Sequence, residues 1–398
     1  MENNNKIRVA ITHGDTNGIG YELILKTFAE QAMLDLCTPI IYGSPKVAAY
    51  YAKMLHLQVP FSIIQKANDA QEGRINLLAA IEDEIPIETG QSTEEAGKAA
   101  ITAIDRAITD YKDGLFDVLV TAPINNSNIK PEGYLFPGHT HYIETCINDG
   151  QAFDVLVNEH MRMAFVTPSI ALKDVAKSIT KENMESKIEA FYNVLRRDFR
   201  ISNPRIAVLS LNPLTHEDEI FGKEEEEIIT PAINKMADKS IQAFGPYPAS
   251  EFFGENYYEA FDGILAMYHD QGISPFKAIG KEYGVVYTSG LPLIRTASDQ
   301  TVDYEKAGKD LTDPASFRHA IYLAIDGFRN RINYDAPYES PLKKLYHEHH
   351  DEGEKARFAL PKRRNDIPFY KGQNSSSFPP KNDKSMYNDQ RSHPDDNN

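Results

Sequence analysis

The stretch Ala266-Met267-Tyr268-His269-Asp270-Gln271-Gly272-Ile273-Ser274-Pro275-Phe276-Lys277 decides how this chain is read. The apolar run Ile264-Leu265-Ala266-Met267 predicts a buried strand, and Gly272 and Pro275 predict a turn behind it. At the mouth of that strand stand an imidazole (His269), a carboxylate (Asp270), an amide (Gln271) and a cation (Lys277). Open α/β sheets bind ligands there, beyond the carboxyl ends of their strands. The plainer reading is a polar loop whose His and Lys are merely solvated. It loses ground because a second block, Ser289-Gly290-Leu291-Pro292-Leu293-Ile294-Arg295-Thr296, follows after one short connection.

Outward from these blocks, strand and helix patterns alternate. Ile7 to Thr12 predicts a first buried strand, followed by a glycine-rich turn and an amphipathic helix to about Glu30. Residues 38–43 and Asp117 to Thr121 predict further strands, with a long helix from Thr93 to Lys112. Beyond them come strands near Met163–Thr167 and Arg205–Leu211 and a helix from about Lys181 to Arg196. Glu224-Glu225-Glu226-Glu227 opens a helix to about Ala237, its acidic first turn complementing the helix dipole. Ser316 to Asn330 predicts a last helix. This alternation predicts α/β architecture with parallel strands. The turn Gly14-Asp15-Thr16-Asn17-Gly18-Ile19-Gly20 does not fit G-x-G-x-x-G, so backbone geometry explains its glycines better than a nucleotide site does.

Composition narrows the function classes. A chain of 398 residues is long enough for two domains, and 41% hydrophobic with 25% charged residues is ordinary for a globular protein. No apolar run approaches the roughly 20 residues that span a bilayer. The start, Met1-Glu2-Asn3-Asn4-Asn5-Lys6, lacks the regions of a signal peptide. The two cysteines, Cys37 and Cys146, have no pairing logic, and a reducing cytoplasm is the simplest expectation. A net charge of −16 argues against nucleic acid as the main partner. A local cluster of Lys and Arg can still receive an anionic substrate. Residues 351–398 are rich in Lys, Arg, Asp, Asn, Ser and Pro with little apolar periodicity, which predicts a disordered tail.

Further segments carry a resemblance. They are Thr12-His13-Gly14-Asp15 with Gly18-Ile19-Gly20, Thr121-Ala122-Pro123-Ile124-Asn125, Pro137-Gly138-His139-Thr140, Leu211-Asn212-Pro213 and Gly245-Pro246-Tyr247-Pro248. With the two blocks above, they run in order from Val9 to Leu323, and the chain resembles the 4-hydroxythreonine-4-phosphate dehydrogenase (PdxA) family. The resemblance implies a two-domain α/β fold like that of the isocitrate and isopropylmalate dehydrogenases, with a cleft between domains. It places the first domain at residues 1–125 plus 300–345 and the second at 126–299. It implies a homodimer with sites at the interface. The implied activity is NAD-dependent oxidation and decarboxylation of 4-phosphohydroxy-threonine in pyridoxal phosphate biosynthesis, assisted by a divalent metal such as zinc.

By the same resemblance His139, Thr140, Lys277 and Arg295 contact substrate, and His269, Asp270 and Lys277 are the catalytic set. Lys and Arg also suit a phosphate and a carboxylate on electrostatic grounds alone. Asp299 and Gly308 mark the cofactor region, and His269 is a metal ligand. The chain departs from the family pattern at several positions. Ser169 and Leu214 stand where the other two metal-binding histidines are expected, and His216, beside Glu217, Asp218 and Glu219, is either a substitute ligand or part of a solvated acidic loop. Val286 replaces an asparagine, Asn126 a lysine, and His141 a glutamate. The cofactor loop reads Asp299-Gln300-Thr301-Val302-Asp303, without the family's glycine. Two functions therefore stand side by side: the working dehydrogenase, and a catalytically impaired paralog that keeps the fold and an anion pocket and acts as a binding or regulatory protein. A metal-independent enzyme with changed chemistry in the same cleft is a third.

Overall fold

The computed structural model describes residues 6–81, 85–129, 138–167, 169–213, 222–280 and 283–339. Leu214, His216 and the segment 351–398 lie outside the described residues.

Strong apolar runs lay down a single sheet. Its strands are β1 (Ile7–Thr12), β2 (Cys37–Gly43), β3 (Phe61–Ile64), β4 (Ile75–Ala79), β5 (Val118–Thr121) and β6 (Phe153–Val157). They continue with β7 (Arg162–Phe165), β8 (Arg205–Leu209), β9 (Gln242–Tyr247), β10 (Gly263–Ala266), β11 (Val285–Ser289) and β12 (Ile294–Ser298). The spatial order is β3-β4-β2-β1-β5-β12-β11-β6-β7-β10-β8-β9. Strands β2, β5 and β10 are buried at every residue, as expected of parallel strands covered on both faces. The helices that cover them begin where the sequence supplies caps: Thr93 accepts from the Ala96 amide ahead of Glu94–Lys112, and Thr180 from Asn183 ahead of Lys181–Arg197.

Parallel pairing runs from β3 to β12, and again from β7 to β9. Between them lies an antiparallel stretch, β12-β11-β6-β7. Its register sets Arg295 of β12 opposite Thr288 of β11, and Thr288 opposite Asp154 of β6. Strand β12 pairs with both β5 and β11, so the strands of the amino-terminal segment and those of the middle segment meet there. Among the described residues no helix is long and apolar enough to cross a membrane.

Three local readings change. Strands β3 and β4 lie in a region that the sequence pattern leaves unassigned. Both are short, and β3 is an edge strand with Ile63 exposed, while β4 buries Ile75, Leu77 and Leu78 but carries the polar Asn76 within its apolar run. The expected turn after β10 is instead a helix, His269–Ile279, with Pro275 inside it. The Gln271 side chain anchors its start, accepting from the Met267 amide at 2.7 Å and donating to the Ser210 carbonyl at 2.6 Å. Gly272 is there for close packing, since a Cβ would sit 2.3 Å from the Met163 sulfur and 2.7 Å from the Phe165 ring. The acidic run also does more than face a dipole. Glu225, buried at the head of a π-turn (Glu225–Ile229), accepts from the Leu211 and Asn212 amides at 2.8 Å each.

The turn between β1 and the helix Gly20–Phe28 is buried throughout, and its glycines meet backbone. A Cβ on Gly14, whose φ is +75°, would lie 2.3 Å from the Pro123 carbonyl oxygen. Asp15 in the same turn accepts from the Asn17 amide, the Asn128 side chain and the Tyr304 hydroxyl, tying three loops together. His13 is wholly buried and stacks on Tyr21 at 5.2 Å. Burial brings this imidazole down to about 4, with the Gly14 and Ala99 backbone groups opposing part of the shift. Above its ordinary value of about 6.5 the ring is neutral whether the chain is folded or not. Below it the unfolded chain takes up a proton that the folded one refuses, so stability is fully present above pH ~6.5 and falls towards pH ~4. The loss comes to about 3 kcal/mol, at about 1.4 kcal/mol per pH unit. Urea unfolding at pH 7.5 and 5 should show about 2 kcal/mol of this drop in the natural protein, since pH 5 lies about 1.5 pH units below the free value, and clearly less in His13→Gln. Identical drops would refute the assignment.

Candidate active site

The antiparallel ladder builds a chain of polar contacts across the middle of the sheet. Arg295 is 3% exposed. It donates from Nε and Nη2 to the Thr121 hydroxyl, at 3.0 and 2.7 Å, and from Nη1 to the Thr288 hydroxyl at 3.3 Å. Thr288 in turn donates to Asp154 Oδ1 at 2.5 Å, and Thr140 donates to Asp154 Oδ2 at 2.7 Å. Burial brings the guanidinium down to about 10 against the opposing pull of Asp154, so it stays charged at neutral pH.

Two adjoining cavities flank this chain. One, of about 930 Å³, is lined by His139, Thr140, Asp154, Lys187, His269 and Lys277 among others. The second, of about 1130 Å³, is lined by residues that include Thr121, Asn125, Arg295 and Tyr304. His139, Val286, Asp299 and Thr301 border both, which makes them one cleft. The cleft lies beyond the carboxyl ends of β5, β12, β7 and β10, where the sequence placed it.

His139 opens the helix His139–Ile147, and its Nε2 is shielded from solvent without a partner. Burial, then the Arg295 charge, holds it well below the usual imidazole range, so the ring is neutral at physiological pH. His269 is exposed at the head of its helix, with Nδ1 3.0 Å from Asp270 and its ring stacked on Phe165 at 5.7 Å. Lys277, two turns on, lies 3.9 Å from Asp299 in a loose, exposed ion pair. Asp270 is largely exposed beside His269.

The residues named for the cofactor differ in placement. Asp299 lines the cleft, with its carboxylate against Gly284. Gly308 is not among the cleft-lining residues. Its amide donates to Glu22, and a Cβ there would lie 2.4 Å from the Met54 sulfur. The metal positions fit poorly on donor chemistry. His269 and Ser169 border the same cavity, but a serine hydroxyl is a weak neutral ligand. Among the described residues no group of three or more His, Cys, Asp or Glu side chains is placed to hold a metal. Residues 214 and 216 lie outside them.

Asp154, Thr288 and Lys187 escaped the sequence reading. A signal was present for Asp154: a carboxylate inside the otherwise apolar strand Phe-Asp-Val-Leu-Val. Thr288 and Lys187 carried none, because only strand register and helix docking bring them to the cleft.

An α/β sheet whose strand ends open into a polar, cation-bearing cleft is the class of protein that this fold and site define. The chain belongs to the PdxA family: the model for the pyridoxal phosphate biosynthetic protein PdxA matches residues 35–324. It is 50% identical over 352 residues to the 4-hydroxythreonine-4-phosphate dehydrogenase of Bacteroides thetaiotaomicron, covering 88% of this chain and 97% of that one. It is 34% identical to the D-threonate 4-phosphate dehydrogenase of Cupriavidus necator, over 79% of this chain and 95% of the other. The crystal structure of 4-hydroxythreonine-4-phosphate dehydrogenase from Klebsiella pneumoniae superposes with a TM-score of 0.69 at 29% identity, covering 82% of this chain and 99% of that one. The fold is accordingly the α/β fold of that family.

Proposed function

We propose that this protein is an NAD-dependent dehydrogenase that oxidises and decarboxylates 4-phosphohydroxy-threonine. The observation that carries this reading is the 50% identity, over nearly the whole of both chains, to a relative named for that activity. The cleft supports it: Arg295 supplies a fixed positive charge and Lys277 a second, mobile one for the substrate's anionic groups, and His139 presents a neutral imidazole between the two cavities. Asp299 faces the cleft where the dinucleotide is expected. Bound NAD would accept the hydride; the chain's own residues bind and orient the alcohol. The reading extends to a homodimer whose sites are completed at the interface, which light scattering on the purified protein tests. NADH formation and carbon dioxide release with 4-phosphohydroxy-threonine test the activity. Ligand binding without turnover would instead make the protein the impaired, anion-binding paralog.

With Ser169 and Leu214 at two of the three expected ligand positions, equilibrium dialysis should find zinc held weakly. Ser169→His together with Leu214→His should raise zinc affinity far more than the two single changes combined, because ligands act as a unit. A stoichiometric, tightly held ion in the unmodified protein would overturn this and assign His216 as the substitute ligand.

A further inference from the structure

Asp154 lines the cleft, as do Glu144 and Asp299, and it is joined to Arg295 through the Thr288 hydroxyl. It is half-buried, lines the His269 flank of the cleft with Thr140 and Lys187, and makes no direct ion pair among the described residues. Each of its oxygens accepts one threonine hydroxyl, and a carboxylate has lone pairs for more. Two neutral hydroxyls do not require a full negative charge. A half-buried carboxylate left without an ion pair is costly unless something cationic completes it. Lys187 feels the Asp154 charge but makes no ion pair with it: the ammonium lies over the Phe153 ring, 5.4 Å from the centroid. Arg295 is held one residue away across the ladder, with Thr288 between the two charges. A guanidinium and a carboxylate separated by one hydroxyl match the head of an α-amino acid, whose own carboxylate and ammonium are adjacent.

Resting on the dehydrogenase reading above, we infer that Asp154 determines specificity by binding the substrate's α-ammonium group, and that it selects an amino-acid substrate over the corresponding hydroxy acid. The contrast is a real one for this family, whose relatives are named for 4-hydroxythreonine 4-phosphate and for D-threonate 4-phosphate. Threonate carries a hydroxyl where the amino acid carries the ammonium. A neutral hydroxyl can donate to Asp154, but a charge-assisted bond is about twice as strong.

The test is calorimetric titration of the full-length protein with 4-phosphohydroxy-L-threonine and with D-threonate 4-phosphate, beside kcat/KM for each. The natural protein should bind the amino acid about tenfold or more tighter. Asp154→Asn should lose about tenfold for the amino acid, chiefly in KM, while the threonate ester stays within about threefold. Equal losses for both ligands would show that Asp154 only props up Thr140 and Thr288 and would overturn the inference, as would no loss at all. If Asp154→Asn does not fold, the ligand pair on the natural protein decides: equal affinities overturn it. Binding needs no turnover, so a protein that separates the two ligands but oxidises neither would sink the dehydrogenase reading and leave this inference standing.

Discussion

Arg295→Met should lower kcat/KM for the phosphorylated substrate by on the order of 100-fold, the loss expected when a buried, fork-shaped cation leaves an anion site. The size of the effect follows from how the guanidinium is held. Its side chain is out of solvent, and Thr121 and Thr288 orient three of its nitrogens without neutralising it. A pre-oriented charge loses little on binding, and in a shielded cleft its field is weakly screened. Arg295→Lys keeps the charge but lacks the planar fork that both threonines read, so it should recover only part of the loss. Steady-state kinetics with phosphate-ester binding measure both variants, and thermal unfolding checks that they are folded. A change within about threefold for Arg295→Met would show that the substrate's anions lie elsewhere.

A second large effect is expected away from the cleft. Arg331, in the helix Ala315–Glu339, is 6% exposed and grips Asp198, itself 3% exposed, with two bonds of 2.8 and 2.9 Å. Its remaining amino group donates to the Leu291 and Pro292 carbonyls, and Ser289 donates to Asp198. The pair therefore clamps the turn between β11 and β12, the hairpin that carries Thr288 and Arg295. Arg331→Met leaves a buried carboxylate without its partner, and urea unfolding should show a loss of about 3–5 kcal/mol. Removing both charges, as in Arg331→Met with Asp198→Leu, should cost less than Arg331→Met alone, because the stranded charge is then gone. A loss below about 1 kcal/mol in the single variant would mean that water reaches the site.

Much of the architecture was legible in the chain. Buried parallel strands leave apolar runs, so β1, β2, β5, β7, β8 and β10 could be read to within a residue or two at their ends, and Thr93 and Thr180 mark helix starts through a local cap. The helix His269–Ile279 was not legible. Proline and glycine argue locally for a turn, and what overrides them is distant: Ser210 receives the Gln271 amide, and the Met163 and Phe165 side chains leave room only for a glycine at position 272.

The sequence by itself determined the family, the sheet that belongs to it, and the residue types at the cleft, among them His139, Thr140, His269, Lys277 and Arg295. These are written in short motifs whose identity does not depend on what lies across from them. Which of these side chains act together was decided by tertiary structure alone. Arg295, Thr288 and Asp154 are adjacent because three antiparallel strands share one register. Gly308 packs on Met54 rather than lining the cleft because of where its loop docks. Strand register and loop docking are set by the total burial of the fold, a sum over partners far apart in the chain, and no local stretch of sequence carries it.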